Sequence, residues 1–239
     1  MRLSALQSDI LRYILSKGYR PGDPLPTIQE ISKELGTSVA KTREALEVAR
    51  MLGVLEIKPG RGTRVAEYRF APAVALSAMY AIGQDASHFE HLRQMRNALE
   101  VSFWEDAVMR LQPEDLACLR GLVRDAFAHL ERQPIQVPAS EHRQFHLTIF
   151  SRLDNPFVQG VLEAFWEVYE AFGLNLYADL EYHRRVWDYH ERMINAIEAG
   201  DIERSRLLLI EHMGLLRHRE TPGRIASGPP PDQPSLLFE

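Results

Sequence analysis

Apolar residues recur along the chain at two different periods, and the change of period marks out its parts. From Leu3 to Lys17, the residues Leu6, Ile10, Leu11 and Ile14 follow helical spacing, and Gly18 ends the run. A turn at Arg20-Pro21-Gly22-Asp23-Pro24 leads to Leu25, placed to add a short strand to a later ribbon. Ile28 to Leu35 repeats the helical pattern, with Ile31 and Leu35 on one face. Gly36 can take the left-handed conformation that stops a helix, and Thr37 or Ser38 can cap the next one. That helix runs from Val39 to Leu52, with Leu46 and Ala49 inward, and Gly53 closes it. The period then falls to two. Val54–Lys58 and Thr63–Glu67 alternate like strands around the turn Pro59-Gly60-Arg61-Gly62. Helix, tight turn, helix and ribbon predict a winged helix-turn-helix, which sets its second helix in the major groove of DNA.

Between Glu67 and Phe89 no period holds, because Pro72 and Gly83-Gln84-Asp85 interrupt it. This stretch reads as a linker, residues 70–87, with a short helix from Ala73 to Ile82. From His88 onward only helical patterns occur: His88–Leu111, Pro113–Arg132, Ala139–Leu153, Pro156–Ala178, Glu181–Ala199 and Ile202–His218. Pro113 and Pro156 sit at first-turn positions, Asp154 or Asn155 can cap, and Gly200-Asp201 makes a corner. The predicted fold is mainly α. It joins a winged helix-turn-helix over residues 1–69 to an antiparallel all-helical bundle over 88–220. The tail, 221–239, has the Pro- and Gly-rich composition of disorder.

Composition narrows the function. Apolar residues make up 45% of the 239, enough for cores, but no run of about 18 exists to span a membrane. The N-terminus lacks the apolar centre of a signal peptide. A single cysteine, Cys118, excludes a disulfide framework, reads as a small apolar filler on a helical face, and makes the cytoplasm the default location. The net charge of −5 hides an asymmetry. Residues 1–69 carry 12 Lys and Arg against 8 Asp and Glu, whereas residues 70–239 carry 16 against 25. A basic module joined to an acidic one suits a DNA reader whose second domain must not bind DNA.

On the helix-turn-helix, Thr27, Ser38, Lys41, Thr42 and the amides at the start of the second helix can meet phosphate. Arg43 can reach a guanine edge or a phosphate. Arg61 at the wing tip and Arg64 just after it suit the minor groove or the backbone. Singly, each basic residue also reads as a solvated charge; on this scaffold the set reads as a DNA surface. The nine histidines all follow residue 87. His142 and His146 stack at i and i+4, and His190 and His212 lie on two further helices. Neutral imidazoles converging in a bundle suit a divalent transition metal, with Zn²⁺ or Ni²⁺ foremost. Spacing alone leaves a second reading open, in which these are core histidines bonded to carbonyls.

The sequence resembles the GntR family of bacterial transcription regulators. The carrying residues are Pro21-Gly22, Leu25-Pro26, Leu35-Gly36-Thr37-Ser38, Arg43-Glu44-Ala45-Leu46, Gly53-Val54-Leu55 and the wing Pro59 to Val65. Departures occur at Thr27-Ile28-Gln29, where the family has Ser-Glu-Arg, and at Val39, where it has Arg. Lys41 and Thr42 also depart. The C-terminal half is similar to the subfamily with the fatty-acid-regulator type of helical domain. That similarity rests on Arg96 to Glu100, Phe145-His146, Asn155, His190 with Ala196-Ile197 and Gly200-Asp201, and His212. It implies a metal held by His146, His190 and His212 and a fourth ligand position, usually Asp, occupied here by His142. It also implies a carboxylate effector near Arg96 and Asn155, an operator-binding homodimer, and a regulator, by family habit a repressor, rather than an enzyme. Two local alternatives stand beside this: Arg96 paired with Glu100 at i+4, and Asn155 as a helix cap.

Overall fold

In the computed structural model the described residues are 5–58, 60, 62–172 and 179–215. They form ten helices and one two-stranded ribbon. The first unit comprises α1 (Asp9–Lys17), α2 (Ile28–Leu35), α3 (Val39–Met51), β1 (Leu55–Lys58) and β2 (Gly62–Val65). The first helix starts six residues later than the Leu3 expected from periodicity, because the Ser8 hydroxyl accepts the amide of Leu11 and caps it. Thr27 and Glu30 form a reciprocal capping box at the start of α2, and Gly36, at φ 62°, ends it. The wing pairs antiparallel, Leu55 opposite Val65, and Pro24 bridges to Arg64 as the Leu25 expectation implied. Ile10, Ile14, Ile31, Leu46, Ala49 and Leu55 make one small core behind these elements.

The remaining helices are α4 (Ala71–Gln84), α5 (His88–Val108), α6 (Pro113–Leu130), α7 (Ala139–Phe150), α8 (Pro156–Ala171), α9 (Leu180–Glu198) and α10 (Ile202–Gly214). Pro113 and Pro156 do begin α6 and α8. A large core of Trp104, Leu119, Ile149, Leu162, Trp187 and Met193 fills the bundle. The Trp104 indole donates to the Ser205 hydroxyl at 2.8 Å and ties α5 to α10. Helix α8 ends at Ala171, short of Ala178; residues 173–178 and the tail from 216 lie outside the described residues.

Helix α4 differs most from expectation. It is longer than Ala73–Ile82, and it packs along α8. Ala71, Ala75 and Ala164 form the seam, and Gly160 sets its depth. A Cβ added at Gly160 would lie 2.5 Å from Phe70 Cβ and 2.9 Å from the Ala71 nitrogen, so only glycine lets the two backbones approach this closely. The Arg69 guanidinium pairs with Glu163 at 2.8 Å beside the same seam. Cys118 is exposed rather than the expected filler, since the buried neighbour on its helix is Leu119.

Candidate DNA-binding and metal sites

The DNA-facing candidates fall into three groups. Ser38, Lys41 and Arg43 are exposed at the start of α3, with the Ser38 hydroxyl accepting the Lys41 amide at 3.2 Å. Thr27 is exposed too, but its hydroxyl donates to Glu30 at 2.7 Å within the capping box. Thr42 departs from the expectation: it is 1% exposed, and its hydroxyl donates to the Ser38 carbonyl at 3.0 Å. A side chain one position from the exposed Lys41 turns inward because helical geometry rotates it by about 100°. Arg64 donates from Nη1 to the Gly22 carbonyl at 2.8 Å, which ties the wing to the preceding turn. Arg61 lies outside the described residues.

The histidines come together. His142 and His146 from α7, His190 from α9 and His212 from α10 each offer a ring nitrogen, and these nitrogens all lie within 4.8 Å of one another. His146, His190 and His212 are buried; His142 is partly exposed, though its Nε2 is buried. Phe145 and Trp187 pack on His190, with ring centroids 4.2 and 4.7 Å away. Trp166 from α8 closes another side, 4.9 Å from His142. Burial first, then neighbouring charge that includes Arg96, holds all four imidazoles well below the ordinary histidine range. They are therefore neutral and keep a lone pair each.

This donor set fits a divalent cation. Nitrogens bound tetrahedrally at about 2.0–2.1 Å stand roughly 3.3 Å apart. His146 Nε2 and His190 Nε2 are 3.4 Å apart. His142 Nε2, His190 Nδ1 and His212 Nδ1 have no hydrogen-bond partner, although buried polar atoms ordinarily do.

Arg96 and Glu100, one turn apart on α5, adjoin the cluster. Arg96 Nε lies 2.8 Å from Glu100 Oε1, so the i+4 ion pair does form, and Arg96 Nη2 lies 2.9 Å from His146 Nδ1. Glu100 Oε2 is 3.2 Å from the same Nδ1. Both residues are buried, at 3% and 0% exposure. Burial lowers the Arg96 pKa and raises that of Glu100, and each one's charge opposes the other's shift. The Asn155 side chain accepts the amides of Phe157 and Val158 and caps α8, so the capping reading is realised. Sequence reasoning passed over Glu100 and Trp166 as site residues. The signal for Glu100 was its place between Arg96 and Trp104 on the buried stripe of α5.

Comparison with known proteins places both units. Residues 4–65 match the bacterial regulatory proteins of the gntR family, and residues 91–215 match the FCD domain, more than half of the chain. The chain is a GntR-family transcription regulator. A Uxu operon regulator of Haemophilus influenzae is 26% identical over 212 residues, covering 85% of this chain and 76% of the relative. The HTH-type transcriptional regulator LutR of Bacillus subtilis is 22% identical, covering 81% and 90%. Among solved structures, a GntR protein of Streptococcus agalactiae superposes with a TM-score of 0.64 at 20% identity, covering 87% of this regulator and 95% of that chain. The regulator is thus a DNA-binding protein with an FCD-type second domain, and not an enzyme. Among its described residues no helix is long and apolar enough to cross a membrane.

Proposed function

We propose that this regulator is a cytoplasmic homodimeric repressor whose operator affinity responds to a small carboxylate bound over a divalent cation in the histidine cluster. The observation that carries the reading is the set of four neutral imidazoles within 4.8 Å, three of them with a buried nitrogen that has no partner. Buried polar atoms ordinarily find partners, so a cluster of this many unpartnered imidazole nitrogens favours ligation over the core-histidine alternative. A bound cation would supply a positive anchor for one carboxylate oxygen.

The protein's own residues do the rest. His142, His146, His190 and His212 would hold the ion, and Arg96 would present its planar fork to the carboxylate. Trp166 belongs to α8, which faces the cluster on one side and the α4 seam on the other. An effector pressing on Trp166 would therefore act on the helix against which α4, the helix that follows the DNA module, is packed. A two-fold dimer would offer two α3 helices to two half-sites, and Ser38, Lys41, Arg43 and Arg61 are the proposed contacts. Coupling of about 1–3 kcal/mol is the range such effects occupy.

The test is elemental analysis of untagged protein, wild type and His190→Gln, followed by DNA titration with the protein's own promoter region in the presence of small carboxylates. About one ion per chain that is lost in the variant, with DNA affinity moved by a carboxylate only when the ion is present, is expected. Absence of metal after incubation with Zn²⁺ and Ni²⁺ would sink the reading.

A further inference from the structure

His146 Nδ1 has two neighbours that require opposite things of it. Arg96 Nη2, at 2.9 Å, can only donate, so Nδ1 must be bare to accept it. Glu100 Oε2, at 3.2 Å, can accept only if Nδ1 carries hydrogen. A neutral imidazole has one N–H. In the arrangement seen, Arg96 has Nδ1, the ring hydrogen falls on Nε2, and Glu100 Oε1 is held by Arg96 Nε while Oε2 lacks a hydrogen-bond partner. Yet Nε2 is the nitrogen that faces His190, and a ligating nitrogen must be bare.

On the metal reading above, we propose that Glu100 is the positioning residue of the histidine site, and that His146 changes tautomer on loading. The single ring hydrogen relocates from Nε2 to Nδ1, with no net proton gained or lost. Glu100 Oε2 takes the Nδ1–H hydrogen bond, and Arg96 Nη2 is released. The four imidazoles carry no negative charge, so Glu100 also places an anion directly behind one ligand, as carboxylates do behind metal-bound histidines. The released Arg96 N–H becomes available to a carboxylate. Cation loading therefore precedes strong carboxylate binding, because until then Arg96 is occupied by His146.

The experiment uses the full chain with Zn²⁺ alone. Zinc stoichiometry tests the metal reading. Histidine ¹H–¹⁵N correlation spectra, with His146 assigned by its loss in His146→Gln, test the tautomer. The expected result is a bare Nδ1 in the metal-free protein and a hydrogen-bearing Nδ1 in the zinc form. Chelator competition should show zinc affinity falling about 10–100-fold in Glu100→Gln but rising in Arg96→Met. A merely structural Arg96–Glu100 pair would lower it in both. Zinc uptake with an unchanged His146 tautomer overturns this proposal and leaves the metal reading standing; no zinc uptake overturns both. The spectra of wild type decide the point even if a variant fails to fold.

Discussion

The DNA module and the helical domain use charge in opposite ways. In the first, cations stay in water: Lys41 and Arg43 are exposed, and Lys17 pairs with Glu34 at the surface. In the second, Arg96 and Glu100 are enclosed with four histidines. An exposed charge is inexpensive to place and is weakened by salt. A buried one must be answered by a partner, and small rearrangements around it carry large energies. The same chain thus holds a surface suited to reading a polyanion and an interior in which charge is enclosed beside four histidines.

Acid should separate the two regions most. The four cluster histidines are depressed in the folded state, so the unfolded chain takes up protons first as pH falls through about 6.5. Stability of the metal-free helical domain is then lost below that pH, at up to about 1.4 kcal/mol per pH unit for each histidine. Residues 1–69 contain no histidine. All three tryptophans lie in the helical domain, so fluorescence melts at pH 7.5 and 5.5 should move together with that domain, while amide protection factors in α1–α3, corrected for the intrinsic pH dependence of exchange, should not change. Equal loss in both regions would break the comparison.

Trp104→Ala comes next. The side chain is fully buried and holds Ser205, and its removal should cost the helical domain roughly 3–5 kcal/mol by denaturant titration. Arg43→Ala should do the reverse. It should weaken operator binding by about 1–3 kcal/mol and flatten its salt dependence, with the tryptophan melt unmoved. The smallest effect is expected of Ser38→Ala, which removes the α3 cap and should destabilise the DNA module by about 1 kcal/mol.

Legibility in the sequence also differed between the regions. The helix-turn-helix was readable because its signals are local: Thr27, Gly36 and Ser38 stop and start helices within a few residues of themselves. Thr42 was misplaced because polarity suggested the surface, whereas its hydroxyl is satisfied by the carbonyl four residues back and its methyl can then be buried. The four histidines were readable as a set from spacing and resemblance together. The role of Glu100 was not, since pattern shows which face of α5 it occupies but not that His146 stands 3.2 Å away. Helix α4 looked like a linker because alanines and Gly83 give no strong period, and its partner, Gly160, is far off in the sequence.

The seam of Ala71, Ala75, Ala164 and Gly160 has a consequence for how such a regulator can be altered. Its width is fixed by missing side chains, so it cannot be adjusted gradually. A methyl added at Gly160 would meet the chain at Phe70 and Ala71 and force α4 and α8 apart, shifting the start of the helix that follows the DNA module. Because α8 also carries Trp166 against the histidines, a change at the seam is passed to the cluster as well.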